Sequence, residues 1–272
     1  MAVVGEDGVC RLQFSYDVAG RLLTQTVDGA SLHLGYDAAG RRISRTTPTG
    51  ARTELGWDEA GNRVSLTIDG QHALTFGHDL LGRETDRTLG AGLRLVSDWD
   101  ALGRLTHQSL TTRPGRHIRA RAYAYRADGH LTAVHEEVTG RATAYTLDPV
   151  GRPLHAERPA GVETYAYDAS GNVRTADWPE HAADLAARGE REYMGTRVLR
   201  AGHTHYRYDS AGRLVERVKK RLSRKPDVWV CTWDAENRLT SCTTPDGAVW
   251  HYCYDPLGRR TPSIASTKPA GP

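Results

Sequence analysis

Leu12, Phe14 and Tyr16 alternate with the polar residues Gln13 and Ser15, and the same two-residue rhythm returns at Tyr123 and Tyr125, Tyr165 and Tyr167, Tyr206 and Tyr208, and Tyr252 and Tyr254. Side chains two apart in a strand share a face, so the pattern predicts short strands with aromatic residues on one side. Their neighbours, among them Arg121, Ala122, Ala166, Arg207 and Cys253, are small, polar or charged and predict a wetter opposite side. A helix signature stands out at Pro179 to Arg188, where good helix formers follow a first-turn proline and precede Gly189. The pattern there predicts a short helix or helical loop near 179–188, within an insertion of about 177–200.

Between the strands one turn string recurs as aromatic-Asp-x-x-Gly-Arg. It runs from Tyr16-Asp17 to Gly20-Arg21, Tyr36-Asp37 to Gly40-Arg41, Trp57-Asp58 to Gly61-Asn62, His78-Asp79 to Gly82-Arg83, and Trp99-Asp100 to Gly103-Arg104. It returns from Tyr167-Asp168 to Gly171-Asn172, Tyr208-Asp209 to Gly212-Arg213, Trp233-Asp234 to Asn237-Arg238, and Tyr254-Asp255 to Gly258-Arg259. Leu147-Asp148 to Gly151-Arg152 lacks only the aromatic, and Tyr125-Arg126 to Gly129-His130 keeps less. The aspartates at 17, 37, 58, 79 and 100 stand 20, 21, 21 and 21 residues apart. Asp168 and Asp209 are separated by 41 residues, nearly two periods with one turn string missing. So regular a period marks an array of one supersecondary unit. Asp accepts a hydrogen bond from the backbone two residues on, the x residues take type I turn angles, and Gly takes the left-handed conformation, which closes a hairpin with a bulge. Asn237 replaces Gly at the position where Asn is the next most tolerant residue.

A second turn alternates with the first: Asp28-Gly29, Thr47 to Gly50, Asp69-Gly70 and Pro245-Asp246-Gly247. Two turns per repeat leave two strands of about six residues each. The expected fold is all-β, tandem antiparallel hairpins in a meander over 1–260, followed by a disordered, proline-containing tail over 261–272.

Composition narrows the function classes. Apolar residues make up 39% and Gly 28 of 272, as many turns and short strands require. No stretch approaches the roughly 18 apolar residues of a membrane span, and no signal peptide is evident. Net charge is +3 from 36 basic and 33 acidic residues, spread by the repeat, which argues against a dedicated nucleic-acid surface. The four cysteines, at 10, 231, 242 and 253, are too few and uneven for a disulfide framework and read as reduced thiols.

Most groups that could carry chemistry have a structural role that explains them better. Calcium needs several oxygens converging on one loop, and each turn offers one carboxylate, so the repeated aspartates read as turn residues. Asp148-Pro149 and Asp255-Pro256 read as turns with Pro at the second position before they read as cleavage sites. Cys231, Cys242 and Cys253 with His251 have no Cys-x-x-Cys pair to suggest zinc, and their spacing of eleven places them on successive strands. His203 and His205 read as a surface or lumen pair, and Arg213 to Lys225 as a long hairpin tip. No catalytic residue, cofactor or metal site is assigned, and the chain is not expected to be an enzyme.

The tandem Tyr-Asp-x-x-Gly-Arg string resembles the YD repeats of Rhs proteins, found also in insecticidal toxin-complex subunits and teneurins. The resemblance covers about residues 10–260. It is most specific in His205-Tyr206-Arg207-Tyr208-Asp209-Ser210-Ala211-Gly212-Arg213, in Trp233-Asp234-Ala235-Glu236-Asn237-Arg238-Leu239, and in Tyr254-Asp255-Pro256-Leu257-Gly258-Arg259-Arg260. It implies a long, curved, spiralling sheet forming part of a hollow shell around a toxin polypeptide. It also implies export from the cytoplasm to the exterior or cell surface by a specialised secretion system, and a role in interbacterial competition. The family's closing Asp-Pro-x-Gly-Leu segment is not matched, because Gly258 is followed by Arg259. The chain therefore reads as a segment of a core or a truncated product.

Expected partners are the remainder of an Rhs core, a toxin polypeptide, or further copies joined through open sheet edges. Two other readings stand beside the shell: a cell-surface carbohydrate-binding or adhesin array using the strand aromatics, and a remnant without independent activity. The periodic turns predict a far-ultraviolet circular dichroism spectrum dominated by β signal with little helix. A mostly helical spectrum would remove the repeat assignment.

Overall fold

The computed structural model describes residues 2–5, 8–180, 185–221, 223–255, 257–261 and 264–266. The chain divides into two units, Met1–Thr143 and Ala144–Pro272. The first begins with β1 (Ala2–Gly5), β2 (Gly8–Tyr16), β3 (Leu22–Val27), β4 (Ala30–Tyr36), β5 (Arg42–Thr46), β6 (Arg52–Trp57) and β7 (Arg63–Ile68). It continues through β8 (Gln71–His78), β9 (Glu84–Leu89), β10 (Leu93–Trp99), β11 (Leu105–Thr112), β12 (His117–Tyr125) and β13 (Leu131–Glu136). β14 (Arg141–Leu147) crosses the boundary. The second unit holds β15 (Pro153–Arg158), β16 (Gly161–Tyr167), β17 (Val173–Asp177), β18 (Gly189–Met194), β19 (Arg197–Ala201) and β20 (Thr204–Tyr208). It ends with β21 (Leu214–Lys219), β22 (Asp227–Trp233), β23 (Leu239–Thr243), β24 (Val249–His251) and β25 (Ile264–Ser266).

Within each unit every strand pairs antiparallel with its neighbour in sequence, from β1 with β2 to β12 with β13, and from β14 with β15 to β24 with β25. The all-β hairpin meander is thus the observed fold. The second turn takes two forms: Thr47–Gly50 and Thr244–Gly247 share the backbone hydrogen bonds of the first turn, whereas the two Asp-Gly turns differ. Asp28-Gly29 and Asp69-Gly70 are two-residue loops with both residues left-handed, at φ of 49° and 86° and of 50° and 77°. That combination matches the strand twist of a tight hairpin. The longer turns take three residues with a left-handed glycine at the end, as at Gly20, φ 79°. At the aromatic-Asp turns an extra residue follows on the return strand: Gly35 pairs with Ser44 and Tyr36 with Arg42, so Ile43 is left over.

Among the described residues the buried side chains are few and mostly small. They include Leu12, Leu55, Ala120, Ala156, Ala176, Ala201 and Thr204. Ala156 lies opposite Tyr145 and Ala176 opposite Tyr165, so a small residue faces a ring across the strand pair. Most other strand residues, including every residue of β3, β9 and β21, are half-buried. The expected contrast between a buried and a wet face is weak, because strands touch chiefly their sequence neighbours and side chains are covered by others of the same layer.

Two expectations need correction. The insertion of about 177–200 contains sheet: β18 and β19 form a hairpin through Gly195, φ 62°, and among its described residues Leu185–Ala187 makes a single 3-10 turn. Gly189, φ 109°, opens β18, where Gly189 and Glu190 pair with Ala176 and Thr175 of β17, so the sheet resumes there. The expected helix of 179–188 falls partly on 181–184, outside the described residues. In the tail expected to be disordered, Ile264–Ser266 pairs with Val249–His251 as β25. Prolines at 262 and 269 flank this segment and leave its own N–H groups available to the ladder. Residues 262–263 and 267–272 lie outside the described residues.

Gly103 sits at φ 79° with nothing near the position of an added Cβ, so the cost of a side chain there is conformational alone. Gly103→Ala is expected to lower the unfolding free energy by about 1–2 kcal/mol. An unchanged urea midpoint would show that the turn does not depend on the left-handed residue.

Candidate functional site

The recurring turn builds one constellation many times along the array. At the first copy the Asp17 and Arg21 backbones pair, with Asp17 N–H donating to the Arg21 carbonyl at 2.9 Å and Gly20 N–H to the Asp17 carbonyl at 3.0 Å. One carboxylate oxygen of Asp17 accepts from the backbone N–H of Ala19 and of Arg21, both at 2.9 Å. The other accepts from Arg21 Nε at 2.6 Å. The same Asp–Arg ion pair, at 2.6–2.7 Å, joins Asp37 to Arg41, Asp79 to Arg83, Asp100 to Arg104, Asp148 to Arg152, Asp209 to Arg213, Asp234 to Arg238 and Asp255 to Arg259.

The arginine then reaches beyond its own turn. Arg21 Nη1 donates to the Asp37 carbonyl at 3.0 Å, Arg41 to Asp58 at 2.7 Å, Arg83 to Asp100 at 2.8 Å and Arg213 to Asp234 at 2.7 Å. Its guanidinium also lies over the aromatic ring of the following repeat: Arg21 on Tyr36 at 5.2 Å, Arg104 on Tyr125 at 5.0 Å, Arg152 on Tyr167 at 4.6 Å and Arg238 on Tyr254 at 5.3 Å. Such cation–ring contacts stabilise by roughly 0.5–1 kcal/mol when exposed.

The ring in turn reaches back. Trp57 Nε1 donates to the Arg42 carbonyl, Trp99 to Glu84, Tyr125 Oη to Leu105, Tyr167 to Pro153, Tyr208 to Val198, Trp233 to Leu214 and Tyr254 to Leu239, all at 2.8–3.0 Å. In each case the acceptor lies at the start of the preceding return strand. Successive turns are therefore held by a forward arginine and a backward aromatic, which together form an inter-repeat clamp.

Variants of the clamp show what each part does. Asn62 and Asn172 keep the bond to their aspartates, each at 3.0 Å, with an amide in place of the guanidinium, and Trp57 is covered both by Arg41 of the preceding repeat at 6.0 Å and by Arg63 at 5.5 Å. In the weak copy Arg126 takes the Asp position and its Nε donates to Asp128, two residues on, at 2.8 Å; His130 stands at the Arg position, and Arg104 Nη1 still reaches the Arg126 carbonyl at 3.4 Å. One further copy carries no turn string in the sequence. Tyr193 donates to the Val173 carbonyl at 2.9 Å, so Tyr193 and Arg197 occupy the clamp positions around a turn with no aspartate. The Arg197 guanidinium fills the space where a side chain on Gly212 would go. The sequence signal for this copy is the long interval between Asp168 and Asp209, which leaves room for one more repeat without naming its residues.

The turn carboxylates are all held below the usual carboxylate range. For Asp17, Asp100, Asp209 and Asp234 the largest influence is the backbone N–H of the arginine four residues on. For Asp58 and Asp168 it is the side-chain amide of Asn62 and Asn172. For Asp37, Asp79, Asp148 and Asp255 partial burial is the largest single influence and pushes upward, but the arginine's combined hydrogen bonds outweigh it.

Other candidates are placed as follows. Among the described residues no three His, Cys, Asp or Glu side chains come together to hold a metal ion. His203 is exposed, while burial and then Lys220 hold His205 below the ordinary histidine value. In the basic run, Arg213 is in the clamp, Arg217 lies over Trp229 at 4.7 Å, and Arg221 and Arg224 face Asp227. Asp148 and Asp255 are both engaged by the arginine of their own turn.

The architecture is that of a β-repeat protein whose hairpins are joined by a recurrent Asp–Arg–aromatic clamp. The RHS Repeat family matches residues 36–73 and 233–272. Over 140 residues, 52% of the chain, it is 33% identical to a probable deoxyribonuclease, RhsB, of Dickeya dadantii, covering 9% of that protein. Over 156 residues, 55% of the chain, it is 33% identical to double-stranded DNA deaminase toxin A of Burkholderia cenocepacia, covering 10% of it. The chain thus spans about a tenth of these relatives, and the activities in their names are properties of those proteins. The crystal structure of TcdB2-TccC3-Cdc42 superposes with a TM-score of 0.64 over 96% of this chain and 17% of that one, at 14% identity, which shows a shared fold. The chain thus carries RHS repeats and shares sequence with Rhs-type proteins over about half its length.

The depressed carboxylates set a pH dependence. A folded-state pKa below the unfolded value, about 3.9 for Asp, contributes stability that is complete above that value and is lost as pH falls through the folded one. Because the copies titrate side by side, the denaturation midpoint is expected to hold above about pH 5 and to fall steeply below about pH 4. A midpoint unchanged from about pH 6 to about pH 3 would remove the carboxylates from the clamp.

Proposed function

We propose that this array is a stretch of wall in an Rhs-type shell that encloses or scaffolds a toxin polypeptide exported by a specialised system for competition between bacteria. The observation that carries this reading is the clamp itself. It joins hairpin to hairpin within a single layer, so a wall can be extended by repetition without a thick core. The likeness to toxin proteins of the Rhs type and to the TcdB2-TccC3 fold supports it.

The carbohydrate-binding reading is less well supported. Sugar stacking needs open ring faces, and Tyr36, Tyr125, Tyr167, Tyr252 and Tyr254 each carry a guanidinium on one face. Nucleic acid is disfavoured for a similar reason, since much of the basic run is spent on Asp209, Trp229 and Asp227. Among the described residues, β1 and β25 are hydrogen-bonded on one side only. Such edges pair readily, and the natural partners are the remainder of an Rhs core or further copies.

Exchange of segments tests the role. The matched 140-residue segment of the Dickeya dadantii relative would be replaced by the corresponding stretch of this chain, with a second chimera carrying the same stretch in scrambled order. The first chimera is expected to assemble and retain its C-terminal polypeptide against protease, and the scrambled one to lose it. Equal loss from both would overturn the wall assignment.

A further inference from the structure

Two thiols of the second unit have no part in the clamp. Cys231 of β22 and Cys242 of β23 stand directly opposite each other in the antiparallel register. Their Sγ atoms are 4.0 Å apart, both residues are half-buried, and neither is in a disulfide. Directly opposed antiparallel residues have Cα atoms about 4.5–5.5 Å apart, inside the roughly 4.4–6.8 Å that a disulfide spans. Closing the remaining gap to a bond of about 2.05 Å therefore needs side-chain rotation and little backbone movement.

We propose that Cys231 and Cys242 are an oxidative modification site, closing to a cross-strand disulfide by exchange with a small-molecule disulfide such as oxidised glutathione. The thiolate of Cys242 attacks one sulfur of the oxidant, forming a mixed disulfide and expelling one glutathione thiolate, which takes up a proton. Cys231 loses its proton to solvent and attacks the Cys242 sulfur. The 231–242 bond forms and the second glutathione leaves as its thiol. Two protein thiols are oxidised and one small disulfide is reduced.

Burial, followed by the neighbouring Cys242, pushes the Cys231 thiol up to about 11. The bond would bracket the Trp233 to Arg238 turn, one of the clamped copies, and tie its two strands covalently. The thiols stay reduced in a cytosol-like medium, and the hairpin locks on transfer to an oxidising one. This competence does not depend on the shell reading.

The test uses the whole chain, reduced, freed of reductant and exposed to oxidised glutathione under native conditions, with peptide mapping by mass spectrometry. The expected product is an internal 231–242 disulfide with Cys253 still open to alkylation, and C231S is expected to stop at a glutathione adduct on Cys242. Three results would each overturn the proposal: no 231–242 peptide, a lasting adduct on Cys242 of the unmodified chain, or closure only in denaturant. The mapping of the unmodified chain decides the matter even if C231S fails to fold.

Discussion

The guanidinium of the turn arginine is the group on which successive repeats depend. Nε neutralises the aspartate that shapes its own turn, Nη1 donates to the next turn's carbonyl, and the flat face lies on the next ring, as at Arg21 and Tyr36. A planar, permanently charged fork can do all three at once, where an ammonium offers a point charge. In a layer whose covered residues are mostly alanine, serine and threonine, little apolar burial is available to hold neighbours in register. Repeated charge-assisted bonds and ring contacts at the turns take that part.

The same arrangement gives the turn glycine a second duty. Its left-handed φ completes the hairpin, and at Gly212 its missing side chain also leaves room for Arg197 of the preceding repeat, while at Gly40 and Gly171 the arginine Nη1 stands at ordinary contact distance, 3.6 Å and 3.5 Å from the place of an added Cβ. Local turn geometry and the contact between repeats are thus satisfied by one residue. Each hairpin also interacts mainly with the hairpins beside it, which is the thermodynamic pattern of a quasi-one-dimensional array.

The chemistry of the chain is consumed by structure. Aspartates that might serve as acids are fixed as carboxylates under arginine, aromatic donors are spent on backbone carbonyls, and most of the basic run is paired or stacked. The cysteine pair differs in that no clamp residue uses it.

Much of this was legible in the residues themselves. The period of the Asp positions, the left-handed glycines and the two-residue alternation depend on neighbours within a few residues, so the hairpins and both turn types follow from sequence alone. The residues of the copy at Tyr193 and Arg197 were not legible, because without its aspartate that copy carries no turn signature and is recognised only by what its side chains reach. Strand β25 escaped notice because prolines surround it in sequence while its pairing is decided by β24. The arginine's double attachment and the approach of Cys231 to Cys242 were likewise settled by the tertiary structure. Both join residues on different strands, and only the register of the sheet brings such residues to within bonding distance.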